Sequence, residues 1–199
     1  MMDLFLKTEL VIKRLLSLLH TFFISLLNSK VKIGCGSIVY YRSHIVVTTR
    51  LGGAIIGKNT RIGCSSKLCH TGLPFYSKIL VDGKEGRVIV GDNCRINGAY
   101  IHAENKIQIG NNCVMAAGVH IMDSNGHIVN STDRTVGRDD PKEIVIGNNV
   151  WIGLNSIILK GTCIGDNSVV AAGSVVKGEF PDNAVIAGNP AKVVKHLDI

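Results

Sequence analysis

The stretch "IVIGNNVWIGLNSIILKGTCIGDNSVVAAGSVV", Ile144 to Val176, returns an aliphatic residue at every sixth position: Ile146, Ile152, Ile158, Ile164, Val170 and Val176. The fifth position of these turns reads Val150, Ser156, Thr162, Ser168 and Ser174, and the residue after the aliphatic one is small at Gly147, Gly153, Gly165 and Ala171. "GNN" or "GDN" follows in several turns, so the stretch is a hexapeptide repeat. A period of six holds no helical face, and the glycine and β-branched content opposes helix. Short parallel strands stacked coil on coil, each turning its aliphatic residue inward, satisfy the pattern. The fold class expected is therefore all-β.

Working outward, the same phase recurs at Ile109, Met115 and Ile121, at Val90 and Ile96, and at Ile56, Ile62 and Leu68. The offsets between these blocks predict loops near residues 69–87 and 123–143. The chain divides into an N-terminal amphipathic helix over 1–30, a β-helix over 31–178 and a short C-terminal segment over 179–199. Aromatics make up only 5% of the 199 residues, which suits close-packed aliphatic layers. A net charge of +7 favours an anionic partner, but the dispersed cations and the lack of any RNA- or DNA-binding signature argue against nucleic acid. The six cysteines have no paired metal-ligand spacing and no signal peptide is recognisable, so a reducing cytoplasm is expected. Cys94 and Cys113 fall at repeat positions that elsewhere hold Ser, Thr or Val, and read as small buried residues.

A prism of coils exposes apolar interior at both ends unless something covers it. Leu4 to Leu27 carries apolar residues at three- and four-residue spacing, with Asp3 placed as a helix N-cap. Its least polar part, Leu15 to Leu27, is shorter than the ~20 residues of a membrane span. Two readings stand: a cap on the first coil, or a helix lying in a membrane surface with help from Lys7, Lys13, Arg14 and Lys30.

The repeat breaks at "VHIMDSNGHIVN", Val119 to Asn130, since 25 positions separate Ile121 from Ile146. The chain leaves the prism there in a polar stretch that contains His127. From the residues alone, Asp123 is either a turn residue of "DSNG" or an acid that orients an imidazole. Asn97, beside Gly98, reads as an asparagine supporting a turn. Trp151, the sole tryptophan, lines a pocket or packs at a subunit contact.

These motifs, with "VIAGNPAKVVK" from Val185 to Lys195, resemble the hexapeptide-repeat acyltransferases of the maltose, galactoside and polysaccharide O-acetyltransferase type. The resemblance covers about Val31 to Lys195 and implies a left-handed parallel β-helix, a homotrimer and acetyl-CoA as acetyl donor with no metal. It places the catalytic histidine in the loop before "IGNNVWIG", where His127 stands, and an acceptor-positioning asparagine near Asn97. It also places the coenzyme A arm near Gly153, Ala172 and Gly173, with Lys177, Lys192 and Lys195 as candidates for its phosphates and Trp151 as a candidate for the acceptor pocket. A histidine in this role deprotonates the acceptor hydroxyl near neutral pH as that oxygen attacks the thioester. Leu154 and "VVKGEFP" depart from the usual pattern, which bears on the lysine register. The basic apolar N-terminus and the segment from Cys69 to Gly86 look most like enzymes that decorate capsule, O-antigen or exopolysaccharide precursors, whose acceptors are sugars or lipid-linked saccharides at the inner membrane face.

Three rivals are set against this reading. A zinc enzyme like the γ-class carbonic anhydrases would gather His102, His120 and His127. An antibiotic-modifying acetyltransferase would share the prism and the histidine. A non-catalytic β-helix scaffold would bind no coenzyme A.

Overall fold

The computed structural model describes residues 4–64 and 75–199, with side chains from residue 7 onward. After the helix Leu4–Leu27 the chain visits three sheets in turn, coil after coil, so that they form the faces of a three-sided prism. The first sheet stacks seven strands from Val31–Ile33 to Glu179–Phe180. The second stacks eight from Ile38–Val39 to Ala191–His196, and the third six from His44–Val47 to Val175–Val176. The pairings are parallel except where Ala184–Gly188 meets Ala191–His196 in an antiparallel hairpin that closes the second sheet.

The repeat positions lie inside. Ile146, Ile152, Ile158, Ile164, Val170 and Val176 are all buried, as are Ile109, Met115, Ile121, Val90, Ile96, Ile56 and Ile62. Leu68, Cys69 and the Asp3 cap fall outside the described residues. Cys94 and Cys113 are buried in the expected way, each with its sulfur 3.1 Å from the carbonyl of the glycine one coil up, Gly110 and Gly147.

The "GNN" and "GDN" turns form the vertex between the first and second sheets, and each letter has a physical task. The glycine lets the coils approach: a Cβ on Gly110 would come within 2.6 Å of the Gly147 backbone. The following Asp or Asn accepts the amide of its equivalent one coil below, as in Asp92 N–H to Asn111 (2.8 Å), Asn111 N–H to Asn148 (2.9 Å) and Asn148 N–H to Asp166 (2.6 Å). The last residue takes a left-handed backbone, with φ of 58° at Asn112, 54° at Asn149 and 58° at Asn167, which asparagine tolerates best among non-glycine residues. The polar groups of this exposed edge are therefore satisfied vertically, coil to coil.

Two expected boundaries shift. Glu179–Phe180 and Ala184–Gly188 still stack on the coil below, so the prism continues past residue 178. Of the segment 69–87, residues 69–74 are not described, while Lys78–Val81 is a strand of the third sheet between His44–Val47 and Tyr100–Ala103. That part is a regular coil and not a loop. No strand lies between Met122 and Ile144, so the excursion 123–143 runs outside the three sheets.

The N-terminal helix covers the first coil through polar groups. The Ser17 hydroxyl accepts the Tyr41 amide at 3.3 Å, the Thr21 hydroxyl accepts the Val39 amide at 2.9 Å, and a ring nitrogen of His20 lies 2.9 Å from the Ser43 carbonyl oxygen. Ile24 packs on the core edge. By length and composition Lys7–Leu27 is long and apolar enough to cross a membrane, longer than the Leu15 to Leu27 stretch the sequence reading allowed.

Candidate active site

His127 is exposed on the excursion, and its Nδ1 lies 2.7 Å from the carbonyl oxygen of Arg134. A carbonyl only accepts, so Nδ1 carries the proton and donates it. Nε2 is thereby left with its lone pair outward, the form in which an imidazole acts as a base.

The excursion is gripped at three points. At its root, Asp123 is fully buried and accepts the amides of Glu104 and Asn105, both at 2.8 Å, one coil below. Burial pushes its carboxyl up, against the opposing pull of those amides. The expectation that Asp123 orients the imidazole is corrected here: its oxygens are spent on the coil below, and Arg134 supplies the partner to His127. The neighbours Arg138 and Asp139 grip in opposite directions. Arg138 reaches down to Glu104 at 2.9 Å and Asp82 at 3.7 Å. Asp139, its side chain only 7% exposed, takes the Lys160 ammonium from above and also accepts the Ser124 hydroxyl (2.7 Å), the Asn125 amide (2.9 Å) and the Gly126 amide (3.1 Å). Burial alone would raise the Asp139 carboxyl, but Lys160, Ser124 and Asn125 outweigh it and hold it at about 2. Asp139 therefore fixes the three residues that lead into His127.

The remaining candidates fall along two different vertices. Asn97 follows the strand Arg95–Ile96 at the vertex between the second and third sheets, with its amide on the Met115 carbonyl at 3.0 Å. Gly153, Ala172 and Gly173 lie along that same vertex; a Cβ on Gly153 would meet the Ala172 nitrogen at 2.6 Å, and Gly173 N–H donates to Leu154 O at 2.7 Å. Ala172 and Gly173 are exposed, so an extended chain has open backbone to lie on. Trp151 is 55% exposed on the outer face of the second sheet beside them. His127 leaves from the opposite vertex, between the third and first sheets, where exposed Lys177 also stands. Lys192 and Lys195 are exposed on the hairpin strand at the edge of the second sheet. The chain thus sets Asn97 on the same vertex as Gly153 and Ala172, two and three coils below them, but does not bring His127 to that vertex.

Between the two vertices runs the outer face of the third sheet, which sequence reasoning passed over. It carries an edge-to-face set of rings: Phe75 and His120 at 5.4 Å, Tyr100 and His120 at 5.9 Å, and Tyr100 tilted against His102 at 6.1 Å. Register explains it. Tyr100, and not His102, pairs with His120, so the two histidines are displaced by two positions. The three histidines of the zinc reading also diverge, His102 to Asp82 (2.8 Å), His120 to the Gly118 carbonyl (3.0 Å) and His127 to Arg134.

Comparison with known proteins bears on this arrangement directly. A family model described as the hexapeptide repeat of succinyl-transferase matches residues 87–122 and 143–177, and its gap falls on the excursion. Protein CapG of Staphylococcus aureus is 42% identical over 115 residues, which cover 56% of this chain and 67% of CapG. The chain belongs to the hexapeptide-repeat acyltransferases. Galactoside O-acetyltransferase of Escherichia coli K12 is 41% identical over 92 residues, covering 46% of this chain and 45% of that protein. A solved galactoside acetyltransferase in complex with coenzyme A superposes with a TM-score of 0.52 at 37% identity, over 56% of each chain. The matches to these hexapeptide-repeat relatives span about half to two thirds of the relatives' own length. The shared architecture is the left-handed parallel β-helix.

Proposed function

We propose that this hexapeptide-repeat protein transfers an acetyl group from acetyl-CoA to a sugar hydroxyl, with His127 as general base. One observation carries the assignment: the Nδ1–H of His127 is committed to Arg134 O, which leaves Nε2 free to accept a proton. Nε2 takes the proton of the acceptor hydroxyl as its oxygen attacks the thioester carbonyl carbon. The carbon–sulfur bond then breaks, and the departing thiolate recovers that proton from the imidazolium as free coenzyme A. Held at the correct distance, the two substrates need no covalent enzyme intermediate.

The galactoside enzyme that the chain resembles, and the coenzyme A held by its solved counterpart, support the donor and the sugar acceptor. Gly153, Ala172 and Gly173 would receive the pantetheine arm, with Lys192 and Lys195 as the candidate cations for its phosphates, while Lys177, on the other vertex, would meet them only from a neighbouring copy. Asn97 and Trp151 flank the acceptor. A homotrimer would complete the site, since the half with His127 and the half with Asn97 and the small residues occupy different vertices of one prism. A neighbouring copy supplies the missing half if its second vertex faces this chain's excursion. The acceptors that fit this reading are sugars or lipid-linked saccharides of capsule, O-antigen or exopolysaccharide synthesis on the cytoplasmic side.

The test is acetyl-CoA-dependent release of free coenzyme A by wild type and His127→Ala across nucleotide sugars, oligosaccharides and envelope extracts. Release with one acceptor class that the variant lacks supports the reading. Release that survives the substitution would remove His127 from the mechanism.

A further inference from the structure

The N-terminal helix is amphipathic the wrong way round for a soluble protein. A helix on a globular core ordinarily turns its apolar stripe inward and its polar face to water. Here the inward stripe is largely polar: Ser17, His20 and Thr21 bond the first coil, and Glu9 pairs with Lys13 at 2.6 Å along the same side. The outward face carries Leu15, Leu19, Phe22, Phe23, Leu26 and Leu27, each at least half exposed. Such a contiguous apolar face is larger than soluble monomers usually leave to water.

Its surroundings indicate what covers it. Where the helix ends, a shallow hollow is lined by Lys30, Lys32, Arg50 and Arg87 together with exposed Leu51, and among the described residues no acidic one lines it. Arg14 is exposed on the helix itself, and the whole chain carries +7. Apolar back and cationic flank are the two attractions that hold a helix in an anionic lipid surface. A crossing orientation, which the length permits, would take Glu9, Lys13, Ser17, His20 and Thr21 away from the first coil and into hydrocarbon.

We propose that the outward face of Leu4–Leu27 lies in the surface of an anionic membrane, with the hollow of Lys30, Lys32, Arg50 and Arg87 on its lipid headgroups. The helix then serves two surfaces at once, its polar stripe on the prism and its apolar back in lipid. On the acetyl-transfer reading this also fixes a distance. The strand that precedes the excursion is three steps above the first coil in the third sheet. With one helix diameter added, His127 stands roughly 25 Å from the lipid. An anchored acceptor whose saccharide extends that far from its lipid would be presented to the loop.

Flotation of the full chain with vesicles tests the proposal without reference to activity, so its failure and that of the acetyl-transfer reading are separate. The protein should float with vesicles of phosphatidylcholine and phosphatidylglycerol in equal parts, and at least about tenfold less with phosphatidylcholine alone or in high salt. Leu19→Glu with Phe22→Glu should lower recovery at least about tenfold on the mixed vesicles. Lys32→Glu with Arg50→Glu should remove the preference for the anionic lipid. Should the first pair fail to fold, Phe22→Trp in a Trp151→Phe background offers a second reading, a blue shift of emission when mixed vesicles are added. A wild-type chain that stays unbound, or an emission that does not move, overturns the proposal. So does a helix variant that floats like wild type. Should wild type ignore vesicles while the helix variant falls to a smaller assembly, the face is an interface between copies and the membrane reading is wrong.

Discussion

The Gly-Asx-Asn vertex and the excursion 123–143 draw on the same residue types, Asp, Asn, Ser and Gly, and put them to opposite uses. At the vertex each polar side chain bonds the equivalent residue one coil away, so one solution is repeated from Asp92 to Asp182. In the excursion the same chemistry is spent once: Asp123 on two amides below, Asp139 on Lys160 and three groups of its own loop. Repetition yields a rigid wall and a single-use network yields a placed side chain. The two regions should therefore fail differently when altered.

The largest expected effect separates them most cleanly. On the proposed acetyl-transfer reading, His127→Ala should slow the reaction by roughly 10²–10⁴-fold, as loss of a general base does, yet change stability by less than about 0.5 kcal/mol, because the side chain is exposed. Steady-state rates and urea denaturation of the same preparations check both halves. Ile152→Ala should do the converse. Ile152 is fully buried, so the cavity should cost about 2–5 kcal/mol in denaturation midpoints, with rate per folded molecule little changed.

That division also accounts for what the sequence made legible. A repeat announces itself, because Ile146, Ile152 and Ile158 must all face inward at the same phase, and the break at Ile121 marks where the chain departs. Vertical partners leave no such trace. Nothing near Asp123 in sequence shows that its oxygens belong to Glu104 and Asn105, and nothing near Asp139 points to Lys160 on the next coil. The ring cluster of Phe75, Tyr100 and His120 stayed hidden because a coil longer than three hexapeptides shifts the register by two positions. The helix was legible in its span but not in its facing, since periodicity shows an apolar stripe without saying which side the protein takes.

An intermediate effect is expected at Asp139. Asp139→Asn keeps the shape but loses the charge that Lys160 and the Asn125 amide hold, so His127 loses its fixed approach. A misplacement of about an ångström can cost on the order of 10²-fold, so kcat should fall by about 10–10²-fold with KM for acetyl-CoA nearly unchanged. The loop should also become sensitive to trypsin at neutral pH. In wild type the same release has a predictable pH window. The folded carboxyl sits at about 2, below its ordinary value, so its contribution is present above the ordinary carboxylate range and lost as pH falls toward 2. Protection from a protease active in acid should therefore fade below about pH 4 in wild type and be absent throughout in Asp139→Asn.

The smallest effect tests the vertex. Asn167 has φ of 58° and donates through its side chain to Asn183 at 3.1 Å while accepting from Asn149 at 3.0 Å. Asn167→Ala should cost about 1–2 kcal/mol, because a Cβ without a compensating amide is disfavoured in the left-handed region. Asn167→Gly removes the same side-chain bonds but relieves the backbone, so the difference between the two variants measures the conformational part alone. If glycine restores most of the stability, the ladder of amides is secondary and the vertex asparagines are selected by φ. If both variants lose equally, the ladder itself carries the vertex, and the contrast with the excursion narrows to how often a hydrogen bond is repeated. In either case activity per folded molecule should not move, since Asn167 is on a different edge of the prism from His127.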